Sequence, residues 1–134
     1  FCVPDNVYII GMMNTADRSL AMLDYALRRR FAFFDMKPAF ETIQFKQYQE
    51  NLKNPQFEAL IDAIEALNVD IREDDMLGEG FVIGHSYFSN IVKVTESELS
   101  NIIEFEIIPL LKEYWFDEPS KVDIWKVRLR DAIQ

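Results

Sequence analysis

Apolar residues recur in two different ways along this chain, and the change falls at Pro38. Residues 7–11 read Val-Tyr-Ile-Ile-Gly, a short and nearly continuous apolar run. That pattern predicts a strand buried on both faces. Asn14, Thr15, Asp17 and Ser19 follow with helix-start chemistry, and Asp17 or Ser19 can cap the next helix. Leu20, Leu23, Ala26 and Leu27 then give one apolar face at helical spacing. Arg28, Arg29 and Arg30 fall in the last turn, where cations complement the helix dipole. Residues 31–36, bounded by Pro38, predict a second short strand.

Beyond Pro38 the pattern turns helical. Residues 40–52 predict one helix, ended by Lys53-Asn54-Pro55. Residues 57–68 predict another, with Phe57, Leu60, Ile61, Ile64 and Leu67 on one face. The stretch 77–88 holds three of the four glycines and predicts a structured loop with a short strand. Thr95-Glu96-Ser97-Glu98 resembles a capping box, opening a helix that runs to about Trp115. Its apolar face includes Ile102, Phe105, Ile108, Leu111 and Trp115. Pro109 lies inside it and has no N–H, so the carbonyl of Phe105 loses its helix partner and a kink is expected. A last helix spans about 121–132. The fold class is therefore α/β passing into all-α: residues 1–38 read as the end of a sheet domain, and residues 39–134 as a small helical bundle.

Charge narrows the function. The chain carries a net charge of −9, which argues against a polyanion-binding surface spread over it. Against that background Arg28, Arg29 and Arg30 stand together, with Arg18 ten residues upstream. Concentrated positive charge on an acidic chain points to one small anionic ligand. No apolar run approaches the roughly 20 residues that cross a bilayer, so no membrane partner is expected. The single cysteine, Cys2, excludes an internal disulfide and fits a reducing cytoplasm. The start, Phe1-Cys2-Val3-Pro4, has neither an initiator Met nor a basic leader, and reads as the middle of a longer chain. Glu96, Glu98, Glu104, Glu106 and Glu113 fit a solvated helix face better than a metal cluster, and no metal is assigned.

Three strings carry a resemblance. The first is Met13-Asn14-Thr15-Ala16-Asp17-Arg18-Ser19, running on to Arg28-Arg29-Arg30-Phe31. The second is Leu77-Gly78-Glu79-Gly80-Phe81-Val82-Ile83-Gly84-His85-Ser86-Tyr87-Phe88. The third is Ile108-Pro109-Leu110-Leu111-Lys112-Glu113-Tyr114-Trp115-Phe116-Asp117. Together they resemble McrB-like AAA+ GTPases, the hydrolysing subunits of modification-dependent restriction systems. The resemblance implies the part of an AAA+ P-loop module from sensor 1 through the helical lid. Residues 1–38 would be the end of its α/β core and residues 39–134 its lid. The sequence holds no G-x-x-x-x-G-K-[ST] and no apolar strand ending in Asp-Glu, so the fragment alone should be inactive.

The resemblance also implies roles. Asn14 takes the sensor 1 position, orienting the attacking water beside a γ-phosphate; otherwise it is a turn Asn. Thr15, Asp17 and Arg18 belong to the same signature, although Thr15 and Asp17 serve equally as N-caps. Arg29 and Arg30 are the candidate arginine fingers reaching a neighbouring subunit's nucleotide, Arg28 being structural. The plain alternative is a cationic helix end worth roughly 0.3–1 kcal/mol. His85, the only histidine, reads as a structural loop residue, and no sensor 2 arginine is found beside it. Implied cofactors are GTP and Mg in the intact parent. Implied partners are identical subunits in a ring, an McrC-like nuclease, and DNA held by regions outside this fragment. Two competing functions are an AAA+ ATPase that remodels proteins and a purely oligomerising lid module.

Overall fold

The computed structural model describes residue 2, residues 4–13 and residues 29–134. The chain divides into two units, Phe1–Phe34 and Asp35–Gln134. In the first, the backbone N–H of Val7 donates to the carbonyl of Pro4, closing a turn. The expected strands at 7–11 and 31–36 are not formed, and there is no strand among the described residues. Tyr8, Ile10 and Phe34 are instead 90%, 92% and 85% exposed. The physical reason is that a strand cannot satisfy its own N–H and C=O groups. It needs neighbouring strands, and this sequence offers no further run of that type.

The second unit is helical. Helix α1 (Ile43–Leu52) starts at Thr42, whose hydroxyl accepts from the Phe45 N–H. It ends at Lys53 in the left-handed region (φ 47°). Asn54 caps α2 (Pro55–Glu73) by accepting from the Phe57 N–H at 2.9 Å, and Pro55 occupies the first turn. Proline is suited there because its missing N–H has no helical partner anyway. The Lys53-Asn54-Pro55 elbow thus ends one helix and begins the next. Helix α2 starts two residues before the periodicity suggested and continues past Asn68, so Ile71 joins the core.

The loop 77–88 holds two short 3-10 turns, Glu79–Phe81 and His85–Phe88, in place of the short strand. Gly78 sits at φ 88°, a conformation that side chains with a Cβ rarely adopt. Helix α3 (Glu96–Asn101) has Thr95 as its N-cap, accepting from the Glu98 N–H at 3.2 Å. The return half of the capping box differs: the Thr95 hydroxyl donates to the Glu98 carboxylate.

A π-helical segment, Ile102–Ile107, leads into α4 (Ile108–Tyr114). The Ile108 N–H donates to the carbonyl of Ile103, five residues back. This is the form taken by the disturbance expected at Pro109, which lies in the first turn of α4. The wider turn changes which side chains face inward. Leu99, Ile103, Ile107, Leu111 and Trp115, spaced by four, are all 2% exposed or less. In a regular α-helix such a stripe would drift by about 40° per step; the extra residue per turn of the π segment offsets that drift. Phe105, expected on the buried face, is 75% exposed.

Helix α5 (Pro119–Asp131) closes the unit, burying Val122, Trp125 and Leu129. The core joins these residues to the faces of α2, the π segment and α4. Asp70 and Asp74, one turn apart at the end of α2, hold the other helices to it. Trp125 Nε1 donates to Asp70 at 3.0 Å, and Trp115 Nε1 donates to Asp74 at 2.8 Å. Lys121 completes an ion pair with Asp74 at 2.7 Å and lies 4.4 Å from the Trp115 ring centre.

Candidate functional site

Asn14, Thr15, Asp17, Arg18 and Arg28 lie outside the described residues. Arg29 and Arg30 are described: both sit in an exposed turn, with no ion pair to any described residue. Two exposed guanidinium groups adjacent in sequence suit an oxyanion, since each presents its N–H donors in a planar fork.

The loop 77–88, the second of the strings that carry the resemblance, is fixed in detail by its hydrogen bonds. Asn68, on α2, is the one buried polar residue among those described, at 1% exposure. Its Oδ1 accepts from the Ile83 N–H at 2.6 Å, and its Nδ2 donates to the Ile83 carbonyl at 2.9 Å. One side-chain amide thus satisfies both backbone groups of a residue that is 1% exposed. Tyr48 of α1 does similar work further along. Its hydroxyl accepts from the Ile91 N–H at 3.0 Å and donates toward the carbonyls of Ile91 and Phe88 at 2.8 and 2.9 Å. Burial pushes the Tyr48 phenol up from its ordinary value.

His85 is half-buried between aromatic rings. Its Nδ1 accepts from the Ala39 N–H at 3.1 Å. The Phe40 and Phe45 rings meet it edge-on, at 6.3 and 6.0 Å between centres. Since Nδ1 accepts, the proton of the neutral ring sits on Nε2. The structural role expected of His85 is the one seen.

Sequence reasoning missed Asn68, Tyr48, Asp70 and Asp74. Only Asn68 left a usable signal: it is a polar residue four positions after Ile64 and three before Ile71, inside an apolar stripe. A small cleft of about 290 Å³ opens beside it, lined by Pro38, Phe40, Glu41, Glu65, Val69 and Arg72 as well. Burial, then the charge of Glu41, raises the Glu65 carboxyl above its usual range.

The glycine-rich loop of the helical unit is thus held by side chains from the helices around it, and comparison gives this unit a family likeness. Residues 59–123 match the family described as McrB, alpha-helical lid domain, and the chain is McrB-like. It is 50% identical over 136 residues to the type IV methyl-directed restriction enzyme EcoKMcrB subunit of Escherichia coli strain K12. That similarity covers 96% of this chain and 30% of the relative, so the chain spans less than a third of the relative's length.

Proposed function

We propose that this chain is the sensor 1 and lid portion of a GTP-hydrolysing AAA+ motor subunit of the McrB type. The observation that carries the reading is 50% identity over 96% of the chain to a restriction subunit. On this reading residues 1–38 belong to the α/β core and residues 39–134 form the lid. Subunits assemble in a ring in the cytoplasm. With an McrC-like nuclease, they drive DNA translocation and cleavage at modified (5-methylcytosine) sites, the DNA being held by regions outside this chain.

Asn14 orients the attacking water, and Thr15, Asp17 and Arg18 complete the signature around it. Arg29 and Arg30 face the γ-phosphate held by the neighbouring subunit. Their exposure, with no ion pair to any described residue, fits that role, because a finger must be free to meet charge on another molecule. The phosphate loop and the Mg ligands lie outside this chain, so the fragment does not hydrolyse GTP alone. Bound GTP and Mg supply the phosphoanhydride and the charge neutralisation; the residues here position water and offset transition-state charge. Such fingers contribute on the order of 10³ to 10⁵ in rate.

The test is GTP turnover by the full-length subunit carrying Arg29→Ala or Arg30→Ala. Turnover is expected to fall by at least about 10³ in one of them, with nucleotide affinity nearly unchanged. Normal hydrolysis in both would remove the finger role. Turnover of ATP in place of GTP would favour the protein-remodelling alternative.

A further inference from the structure

We propose that the cleft beside Asn68 is the subsite for the guanine base, with Glu65 accepting from its N1–H and 2-amino group and Arg72 donating to its O6 and N7. The inference deepens the function proposed above and rests on GTP being the substrate. The cleft lies wholly within the helical unit. One wall comes from Pro38, Phe40 and Glu41, ahead of α1. The other comes from Glu65, Val69 and Arg72 of α2. These three stand at i, i+4 and i+7, so they share one face of the helix. All three fall within residues 59–123, the segment that matches the lid family, and a lid covers the ligand its parent binds.

The size and lining suit a base. At about 290 Å³ the cleft falls just under the range of whole-ligand pockets, roughly 300–1,000 Å³. Pro38, Phe40 and Val69 offer apolar surface to the faces of a flat ring. Glu65 and Arg72 lie about 10 Å apart along the helix axis, a gap that a purine with a hydrogen bond at each end fills. Their charges then choose the purine. Guanine presents donors at N1 and the 2-amino group and acceptors at O6 and N7. Adenine turns an N1 lone pair toward the same carboxylate, which repels it. Within the cleft Glu41 is engaged by Lys46, whereas Glu65 has no ion pair with any described residue. Burial and the Glu41 charge raise the Glu65 carboxyl, and a pair of N–H donors relieves that strain. Arg72 meets Glu79 through Nε at 3.1 Å, in an exposed pair of the kind worth little. Its terminal N–H groups suit the bidentate fork that guanine O6 and N7 accept. The groove beside Glu98 and Glu106 has no basic lining residue and offers no such pairing.

The test is calorimetric binding of GDP, IDP and ADP to the full-length subunit, so that hydrolysis plays no part. IDP keeps N1–H, O6 and N7 and lacks only the 2-amino group. The unsubstituted subunit should bind GDP about tenfold more tightly than IDP, and ADP more weakly still. Glu65→Met removes the acceptor at similar size. It should weaken GDP about 10- to 100-fold and bring GDP and IDP close to equal. Arg72→Met should weaken GDP and IDP together relative to ADP, leaving the ratio of GDP to IDP as it was. Unchanged ratios among the three nucleotides in Glu65→Met would overturn the subsite, even if all three affinities fell. If that variant binds none of them, Arg72→Met decides: a joint loss of GDP and IDP against ADP supports the subsite, and unchanged ratios overturn it. A subunit that prefers ADP before any substitution fails the GTP reading and the subsite with it. A preference for GDP that survives both substitutions fails the subsite alone.

Discussion

Residues 7–10 and residues 60–64 are both apolar-rich stretches of one chain, yet their fates are opposite. Ile9 and Ile10 are 71% and 92% exposed, whereas Leu60 and Ile64 are fully buried. The difference lies in what each backbone needs. A helix closes its own hydrogen bonds and then requires only an apolar surface to pack on. Helix α2 finds that surface within the unit, on the π segment, α4 and α5. A strand leaves its N–H and C=O groups pointing sideways and requires other strands. The helical unit supplies everything its elements need; the described residues of the first unit offer no strand to pair with.

Substitutions in the core should show this contrast most strongly. Ile103→Ala, deep in the π segment, should destabilise the helical unit by about 2–5 kcal/mol in denaturant titration. Phe105→Ala, two residues on, should cost less than about 0.5 kcal/mol, since the ring is mostly in water. Equal effects would mean that the π segment does not set the buried face. Asn68→Ala leaves the buried N–H and C=O of Ile83 without partners and should cost about 2–4 kcal/mol in the same titration. A loss no larger than that of an exposed Asn would remove the amide lock.

Acid should then weaken the junction of α2 with α4 and α5. The Lys121 hydrogen bond, with further help from Trp115 and the Met76 N–H, holds the Asp74 carboxyl at about 2 in the folded state. A depressed folded-state value stabilises the fold above the ordinary value of 3.8. That contribution is lost as pH falls from about 4 to 2 and amounts to on the order of 2 kcal/mol at most. Asp74→Asn should flatten the stability profile across that window. The same slope in the variant would exclude Asp74 as its source.

The smallest effect belongs to the first unit and separates a fragment from a whole subunit. Ile10→Ser should change the stability of the 134-residue chain by less than about 0.5 kcal/mol, because the side chain is already exposed. In the full-length subunit, where the proposed sheet would bury it, the same change should cost about 2–4 kcal/mol. Indifference in both settings would contradict a core strand at 7–11.

Much of the helical unit was legible before any coordinates. The face of α2 follows from 3.6-residue spacing, and the Thr95 cap follows from its motif. The Lys53-Asn54-Pro55 elbow follows from the distinct backbone preferences of Asn and Pro. These are local effects, decided within a turn or two of chain. The family, too, was readable from strings of adjacent residues, and the lid match at 59–123 agrees with it. The sensor and signature residues Asn14, Thr15, Asp17 and Arg18 stay a reading of those strings, since they lie outside the described residues.

Contacts across long stretches of sequence were not legible. Asn68 with Ile83, Tyr48 with Ile91, Asp74 with Trp115 and Lys121, and His85 with Ala39 join positions 15 to 47 residues apart. Each side chain taken alone fits a solvated or capping role, and only packing brings its partner near. Phe105 and Ile103 make the same point within one helix. Their apolar character is written in the chain, but which one faces the core depends on a π turn. That turn is favoured because it keeps a four-residue stripe against its neighbours. Local chemistry chose the helices, and the cost of leaving buried polar groups and apolar rings without partners chose how they join.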